Sequence, residues 1–148
     1  MPTSHEATAM WHGDLASGKG SVSTKSGALK RAATSWSERT EGTGAEGATS
    51  PEELLAAAHA SCFAMAFAAR LAKAGIADPS IEVRAKVTFG PSPAGGNAVL
   101  SSALMVRAQA PDGDTAKLRA VAEDAKDNCP ISKALQGNVA LSVEATPS

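Results

Sequence analysis

The sequence predicts an α+β protein, and three observations carry that expectation. A capped, nearly uniformly apolar stretch from Thr49 to Gly75 reads as one long central helix. Two alternating stretches, Ile81 to Phe89 and Val99 to Gln109, flank a Gly- and Pro-rich segment and read as a β-hairpin. The residues before the helix fall into short β-compatible pieces separated by turn residues. Strands in hairpins with segregated helices argue for α+β rather than a parallel α/β sheet. The expected order is βββ-α-ββ-α-α-β, in one domain spanning 1–148.

Each element has a local reason. Residues 1–6 form a loose terminus. Ala7 to His12 and Gly20 to Thr24 are strands of a β-meander, separated by a turn through Gly13 and Asp14. The third strand is expected within Ala28 to Ser35, and Trp36 to Ala48 as a Gly-, Glu- and Thr-rich loop. Ser50, Pro51 and Glu53 supply the N-cap, first residue and capping box of the central helix, and Gly75 its left-handed stop. Because almost no face is polar from Leu54 to Ala69, this helix is expected to be buried all round. In the hairpin, Ile81, Val83, Ala85, Val87 and Phe89 face one way, and Leu100, Leu104, Val106 and Ala108 line the partner's buried side. A helix from Thr115 to Asp127 follows, capped by Asp114, with Leu118, Val121, Ala122 and Ala125 on its apolar face. Pro130 ends it, because the residue before proline avoids helical dihedrals. A short helix, Pro130 to Leu135, and a strand through Val139, Leu141 and Val143 complete the chain.

Composition narrows the function. The formal net charge is −1, which favours neither nucleic acid nor an anionic membrane as a partner. The central apolar stretch contains His59 and Ser61 and reads as shorter than the roughly 20 residues a bilayer needs. The first residues lack the basic start and apolar run of a signal peptide, and there are two cysteines. The cytoplasm is therefore the expected location, where an idle structural disulfide is out of place. Small side chains bury little area each, so an oligomer would add stability.

The two cysteines carry the candidate chemistry. Cys62 sits in the middle of the central helix, where a free cysteine is commonly a small buried hydrophobe. Burial raises a thiol's pKa, so a reactive Cys62 needs a cation. Arg39, on the loop upstream, is the candidate, and Glu52 or Glu53 could hold it by bidentate pairing. Cys129, at the N-cap of the short helix, stands where backbone N–H groups favour a thiolate. A zinc site is the rival: His59 and Cys62 share a helix face, with Cys129 and His12 as further ligands, although the spacing matches no common zinc motif. His59 alone reads as a satisfied core histidine, and His5 and His12 have no evident partners. Met10, Met65, Phe63 and Phe67 are expected in the core.

SPEELLAAAHASCFAMA around Cys62 and NCPISKAL around Cys129 together resemble the osmotically inducible protein C and organic hydroperoxide resistance superfamily. Trp11 to Gly20, Ser21 to Thr24 and Ser37-Glu-Arg39-Thr-Glu-Gly42 agree with it, so the likeness spans nearly the whole chain. The resemblance implies an OsmC-like fold in an intertwined homodimer with active sites at the interface. It implies a thiol peroxidase that reduces organic hydroperoxides, with Cys62 peroxidatic and Cys129 resolving. Arg39 takes the arginine role of the osmotically inducible branch, and Glu52 matches the family's glutamate. Thr40 departs from the aromatic residue common there. No metal, haem or flavin is implied; the reductant is an external dithiol, for which the family suggests a lipoyl group. The alternatives are a redox-sensing or disulfide-exchange protein and a non-catalytic ligand- or metal-binding module.

The spacing adds one expectation. Ten residues separate Glu52 from Cys62, about 15 Å along a continuous helix at 1.5 Å per residue. Glu52 should therefore serve the Cys62 of a second subunit rather than its own.

Overall fold

The computed structural model describes residues 1–148. The architecture is mixed α+β, with two three-stranded sheets and four α-helices. The chain divides into two compact units, residues 1–54 and 55–148.

The first unit is the expected meander. β1 (Ala7–His12), β2 (Lys19–Thr24) and β3 (Ala32–Ser35) pair antiparallel in the order β1-β2-β3. A Cβ on Gly18 or Gly20 would stand 2.9 or 2.7 Å from the Trp11 ring. These glycines thus leave the space that the indole occupies across the sheet, while the Trp11 Nε1–H donates to the Gly13 carbonyl at 3.1 Å. The third strand starts later than the sequence reading, because Arg31 adopts a left-handed φ of 51°.

The expected loop after it begins with a helix instead, α1 (Trp36–Glu41). Ser35 Oγ accepts the Glu38 N–H at 3.1 Å, and Gly42 closes the other end at φ 61°. Ser35-x-x-Glu38 is itself a capping-box spacing, so the start signal is legible in the sequence.

α2 spans Pro51–Lys73 without a break. Ser50 Oγ accepts from the Glu53 N–H at 3.1 Å, as the capping box requires. At its far end Gly75 has φ 96°, and the Ile76 N–H reaches Leu71 O while the Gly75 N–H reaches Ala72 O. That pair of bonds is a Schellman motif, with Ile76 folded against the core beside Leu71. At 23 residues, with an 18-residue stretch of mean hydropathy 1.5, α2 could cross a membrane by length and composition alone, where the sequence expects its apolar stretch to fall short of a bilayer. One face of it packs into the core, where His59, Phe63, Phe67 and Leu71 are fully buried.

The second unit holds β4 (Ile81–Pro91), β5 (Asn97–Ala108), α3 (Thr115–Asn128), α4 (Pro130–Leu135) and β6 (Ala140–Pro147). β4 and β5 form the expected hairpin, with a bulge at Thr88/Phe89. β6 returns to pair with β5 in parallel, which the α3–α4 crossover makes possible. Phe63, Phe67, Leu71, Leu104, Val106 and Leu118 form the centre of its core. The Phe63 and Phe67 rings stack at 5.6 Å between centroids.

Burial of α2 corrects the sequence reading. Residues one turn apart on one face are buried, but Ala58, Ser61, Met65, Ala69 and Ala72 form an exposed stripe on the other. The chain by itself covers only one side of an apolar cylinder. Met65 is 69% exposed and Met10 66%, so neither methionine is a core residue.

Candidate active site

The two cysteines, far apart in sequence, meet in the second unit. Cys62 lies on α2, half-buried, and Cys129 is fully buried at the N-cap of α4; both are free thiols. The two thiols lie close enough to act on each other's ionisation, and the Ile131 backbone amide acts on the Cys62 sulfur. Cys129 makes no side-chain cap for its own helix. The amide at the start of α4 therefore goes to Cys62, across the contact, rather than to the cysteine that precedes it. The sequence reading had given that help to Cys129. Burial pushes the Cys62 thiol above its ordinary pKa; the Ile131 amide pulls it down, and Cys129, by hydrogen bond and charge, adds to the rise. Burial wins, so Cys62 in this setting lacks the cation that would make it a thiolate at neutral pH.

A groove of about 360 Å³ opens beside the sulfur, lined by Cys62, Met65, Ala66, Ala69, Asn128 and Pro130, with Arg70 at its edge. The Arg70 Nε stands 2.5 Å from the Asp124 carboxylate. The walls nearest the thiol are aliphatic, which suits an apolar group.

His59, one turn before Cys62, is fully buried. Its Nδ1 lies 2.7 Å from Ser102 Oγ on β5, and its Nε2 lies 2.9 Å from Ser132 Oγ on α4. Both ring nitrogens are occupied by hydroxyls, as a satisfied core histidine requires. Burial holds its pKa below the ordinary histidine value, so the ring is neutral at pH 7. One nitrogen then donates while the other accepts.

The first unit carries the charged pair. Arg39 on α1 grips Glu52 on the first turn of α2 through Nε at 3.1 and 3.2 Å and a terminal nitrogen at 2.9 Å. Glu52 is 7% exposed. The Arg39 guanidinium also lies 5.9 Å from the centre of the Trp36 ring, one turn earlier on α1. Glu53 is occupied elsewhere: its carboxylate accepts from Thr49 Oγ1 at 2.6 Å. Of the two glutamates the sequence offered, Glu52 is the one that holds the arginine.

A family profile described as OsmC-like protein matches residues 42–144. The peroxiredoxin OsmC of Escherichia coli strain K12 is 37% identical over 141 residues, covering 95% of this chain and 96% of its own. This chain belongs to the OsmC-like family. An organic hydroperoxide resistance protein of Xanthomonas axonopodis is 33% identical over 99 residues, 66% of each chain. The crystal structure of the organic hydroperoxide resistance protein OhrB of Bacillus subtilis superposes with a TM-score of 0.74 at 27% identity, over 95% of this chain and 98% of that one.

In this OsmC-like chain the structure pairs Cys62 with Cys129 in one unit and Arg39 with Glu52 in the other. Sequence reasoning named all four. It did not name Ile131 or Trp36, which lie against Cys62 and Arg39. Trp36 could have been found once α1 was recognised, because positions 36 and 39 share a helix face. Ile131 could not, because its contribution is a backbone amide. His59 was placed correctly as a satisfied core histidine, but its two serine partners carry no sequence signal.

Proposed function

We propose that this protein is a cysteine-based peroxidase that reduces organic hydroperoxides to alcohols. The observation that carries the proposal is the Cys62–Cys129 contact, with the Ile131 amide on the Cys62 sulfur, beside an apolar groove. The Cys62 thiolate attacks the distal peroxide oxygen, the O–O bond breaks, and the alkoxide leaves and takes a proton to become the alcohol. Cys62 is left as a sulfenic acid. The Cys129 sulfur attacks Cys62, the S–O bond breaks, and oxygen departs as water. An external dithiol, for which a lipoyl group is the candidate, reduces the disulfide.

Arg39 is the candidate cation that keeps Cys62 ionised and polarises the peroxide, and Glu52 orients it. Arg39 and Glu52 are bound within one chain, so whichever subunit supplies one to a site supplies both. Ten residues of unbroken α2 lie between Glu52 and Cys62, about 15 Å. The reading is therefore a homodimer in which each site takes Cys62 and Cys129 from one subunit and Arg39 and Glu52 from its partner. The uncharged stripe Ala58, Ser61, Met65, Ala69 and Ala72 supports it, because all but Met65 are small and let a second α2 approach closely.

The test is steady-state consumption of cumene hydroperoxide against hydrogen peroxide, with dihydrolipoamide, thioredoxin or glutathione as reductant. Burying an organic tail in the groove gains about 25 cal/mol per Å², so cumene hydroperoxide should have the higher kcat/KM. Equal turnover of hydrogen peroxide would sink the substrate assignment. Thiol oxidation without turnover under every reductant would favour the sensing alternative.

A further inference from the structure

His59 and Ser132 form a second link between the two helices that carry the cysteines. His59 is three residues before Cys62 on α2, and Ser132 is three residues after Cys129 on α4. Positions three apart on a helix share a face. The His59 Nε2···Ser132 Oγ bond, at 2.9 Å, thus runs alongside the Cys62–Cys129 contact, one helical turn away on each element. Ile131, whose amide meets the Cys62 sulfur, lies between the two links. Both partners are buried, His59 fully and Ser132 at 3% exposure.

α4 needs such a link. It has six residues and no side-chain cap, and a helix that short has no stability of its own in water. Asn128-Cys129-Pro130 joins it to α3 through an extended residue, with Cys129 at φ −69° and ψ 123°, so the two helices do not continue one another. Hydrogen bonding to Ser132 ties α4 to α2, and the bond to Ser102 Oγ at 2.7 Å ties the same ring to β5. Breaking either leaves a buried polar atom without a partner, so the ring is held in one orientation.

We propose that His59 is a positioning residue for the resolving step: through Ser132 it holds α4 so that the Cys129 sulfur stays within reach of Cys62. This rests on the peroxidase reading. In the step it serves, the Cys129 sulfur forms a bond to the sulfenic sulfur of Cys62. The S–O bond breaks, its electron pair leaves with the oxygen, and the Cys129 proton completes a water molecule. Cys129 is oxidised and Cys62 is reduced from the sulfenic to the disulfide level. A resolving thiol displaced by an ångström or two loses this reaction to a second peroxide, which carries Cys62 to the sulfinic acid.

Two isosteric variants separate the two hydrogen bonds. The amide of His59→Gln reaches the place of Nε2 and keeps the Ser132 link; that of His59→Asn reaches the place of Nδ1 and keeps only Ser102. Ser132→Ala and Ser102→Ala cut the same bonds from the other side. Each purified variant is checked for folding by circular dichroism. It is then mixed with cumene hydroperoxide without reductant, and disulfide and sulfinic acid are followed by mass spectrometry. In His59→Asn and Ser132→Ala the disulfide should form at least tenfold more slowly, with sulfinic acid rising, while the first oxidation of Cys62 slows by less. His59→Gln and Ser102→Ala should stay within about threefold of wild type, the size of effect expected from a lost neutral hydrogen bond away from the reacting pair. A Ser102→Ala loss equal to that of Ser132→Ala would make His59 a general core group and overturn the inference. So would first oxidation falling as far as resolution. The Cys62–Cys129 disulfide is also equilibrated with reduced and oxidised glutathione, which reads the effective concentration of Cys129 without any peroxide. That value should fall at least tenfold in folded His59→Asn and Ser132→Ala; no change there defeats the inference even if peroxidase activity is absent.

Discussion

In residues 1–54 the buried side chains are polar, Thr49 and Glu52; in residues 55–148 the buried set is dominated by Phe63, Phe67, Leu71, Leu104, Val106 and Leu118. The first unit is held by ladder hydrogen bonds, turns and an arginine–glutamate fork. The second is held by an apolar core, and Cys129 is part of it. Each arrangement gives its site something and withholds something. In the proposed mechanism a core would keep water from the Cys62 sulfenic acid, but it raises the pKa of the thiol that must form it. The first unit supplies a rigidly held guanidinium but no nucleophile. In the proposed mechanism neither region is competent alone, and assembly of two chains joins one to the other.

The largest expected effect tests the nucleophile. Cys62→Ser should abolish peroxide consumption, because an alcohol in this apolar setting does not ionise. Cys129→Ser should still consume one equivalent and leave Cys62 as sulfenic acid, which a second equivalent carries to the sulfinic acid, read by mass spectrometry. Retained turnover in Cys62→Ser, with sulfenic acid on Cys129, would reverse the two roles.

The next tests what the first region contributes. Without a cation the Cys62 pKa lies above its ordinary value, so the thiolate fraction at pH 7 falls about tenfold for each unit of rise. Arg39→Ala should lower the rate of Cys62 oxidation by about ten- to a thousandfold at pH 7, the range an opposite charge supplies. The sign is fixed by the thiol: raising the pH toward its pKa must restore the Arg39→Ala rate, steeply, while the wild-type rate changes little. Arg39→Lys should fall between, since an ammonium cannot grip both Glu52 oxygens. A flat pH profile in Arg39→Ala would remove Arg39 from the ionisation of Cys62.

What the sequence revealed divides along the same line. In residues 55–148 the hairpin, the Asp114 cap and α4 are legible, because period-two alternation, caps and a proline are local signals; the pairing of Cys62 with Cys129 is implied only by the family resemblance. In residues 1–54 the sequence predicts a third strand longer than the one that forms and a loop where α1 stands. A left-handed Arg31 and a six-residue helix leave almost no periodicity to read. Chemistry points to Arg39 as a cation and to Glu52 or Glu53 as its anion; the family resemblance singles out Glu52. The exposed stripe of α2 was misread, because an all-apolar helix looks alike whether its own chain or a second one covers it. Parallel pairing of β6 with β5 was not specified by composition at all.

Subunit exchange asks directly whether the two regions come from different chains. A mixed dimer of Cys62→Ser with Glu52→Gln would hold one intact and one doubly damaged site. Random exchange of equal amounts should return about a quarter of the wild-type rate, half the dimers being mixed with one working site each. Because Arg39 and Glu52 are paired within one chain, Arg39→Ala should complement Cys62→Ser equally well. Glu52→Gln and Arg39→Ala should not restore each other, since every mixed site would lack one of the two. Confirmed exchange with no gain over the Glu52→Gln parent would place the whole site in one chain.

The smallest effect distinguishes the two regions by what a helix cap supports in each. Ser50 caps α2 through the Glu53 N–H at 3.1 Å, and Asp114 caps α3 through the Ala116 and Lys117 N–H groups at 2.8 and 3.2 Å. Replacing either with alanine should cost about 1 kcal/mol, a fall of about 2–4 °C in Tm for a chain of this size. On activity they should differ. The first turn of α2 carries Glu52, so fraying in Ser50→Ala loosens the grip on Arg39 and lowers the rate at pH 7 more than at high pH. α3 carries no side chain assigned to the chemistry at its N-terminus, so Asp114→Ala should melt earlier and turn over as wild type does. Thermal melts paired with rates at pH 7 and 9 measure both. Equal activity losses at equal loss of stability would mean that the site responds to global stability and not to the local order of the Arg39–Glu52 pair.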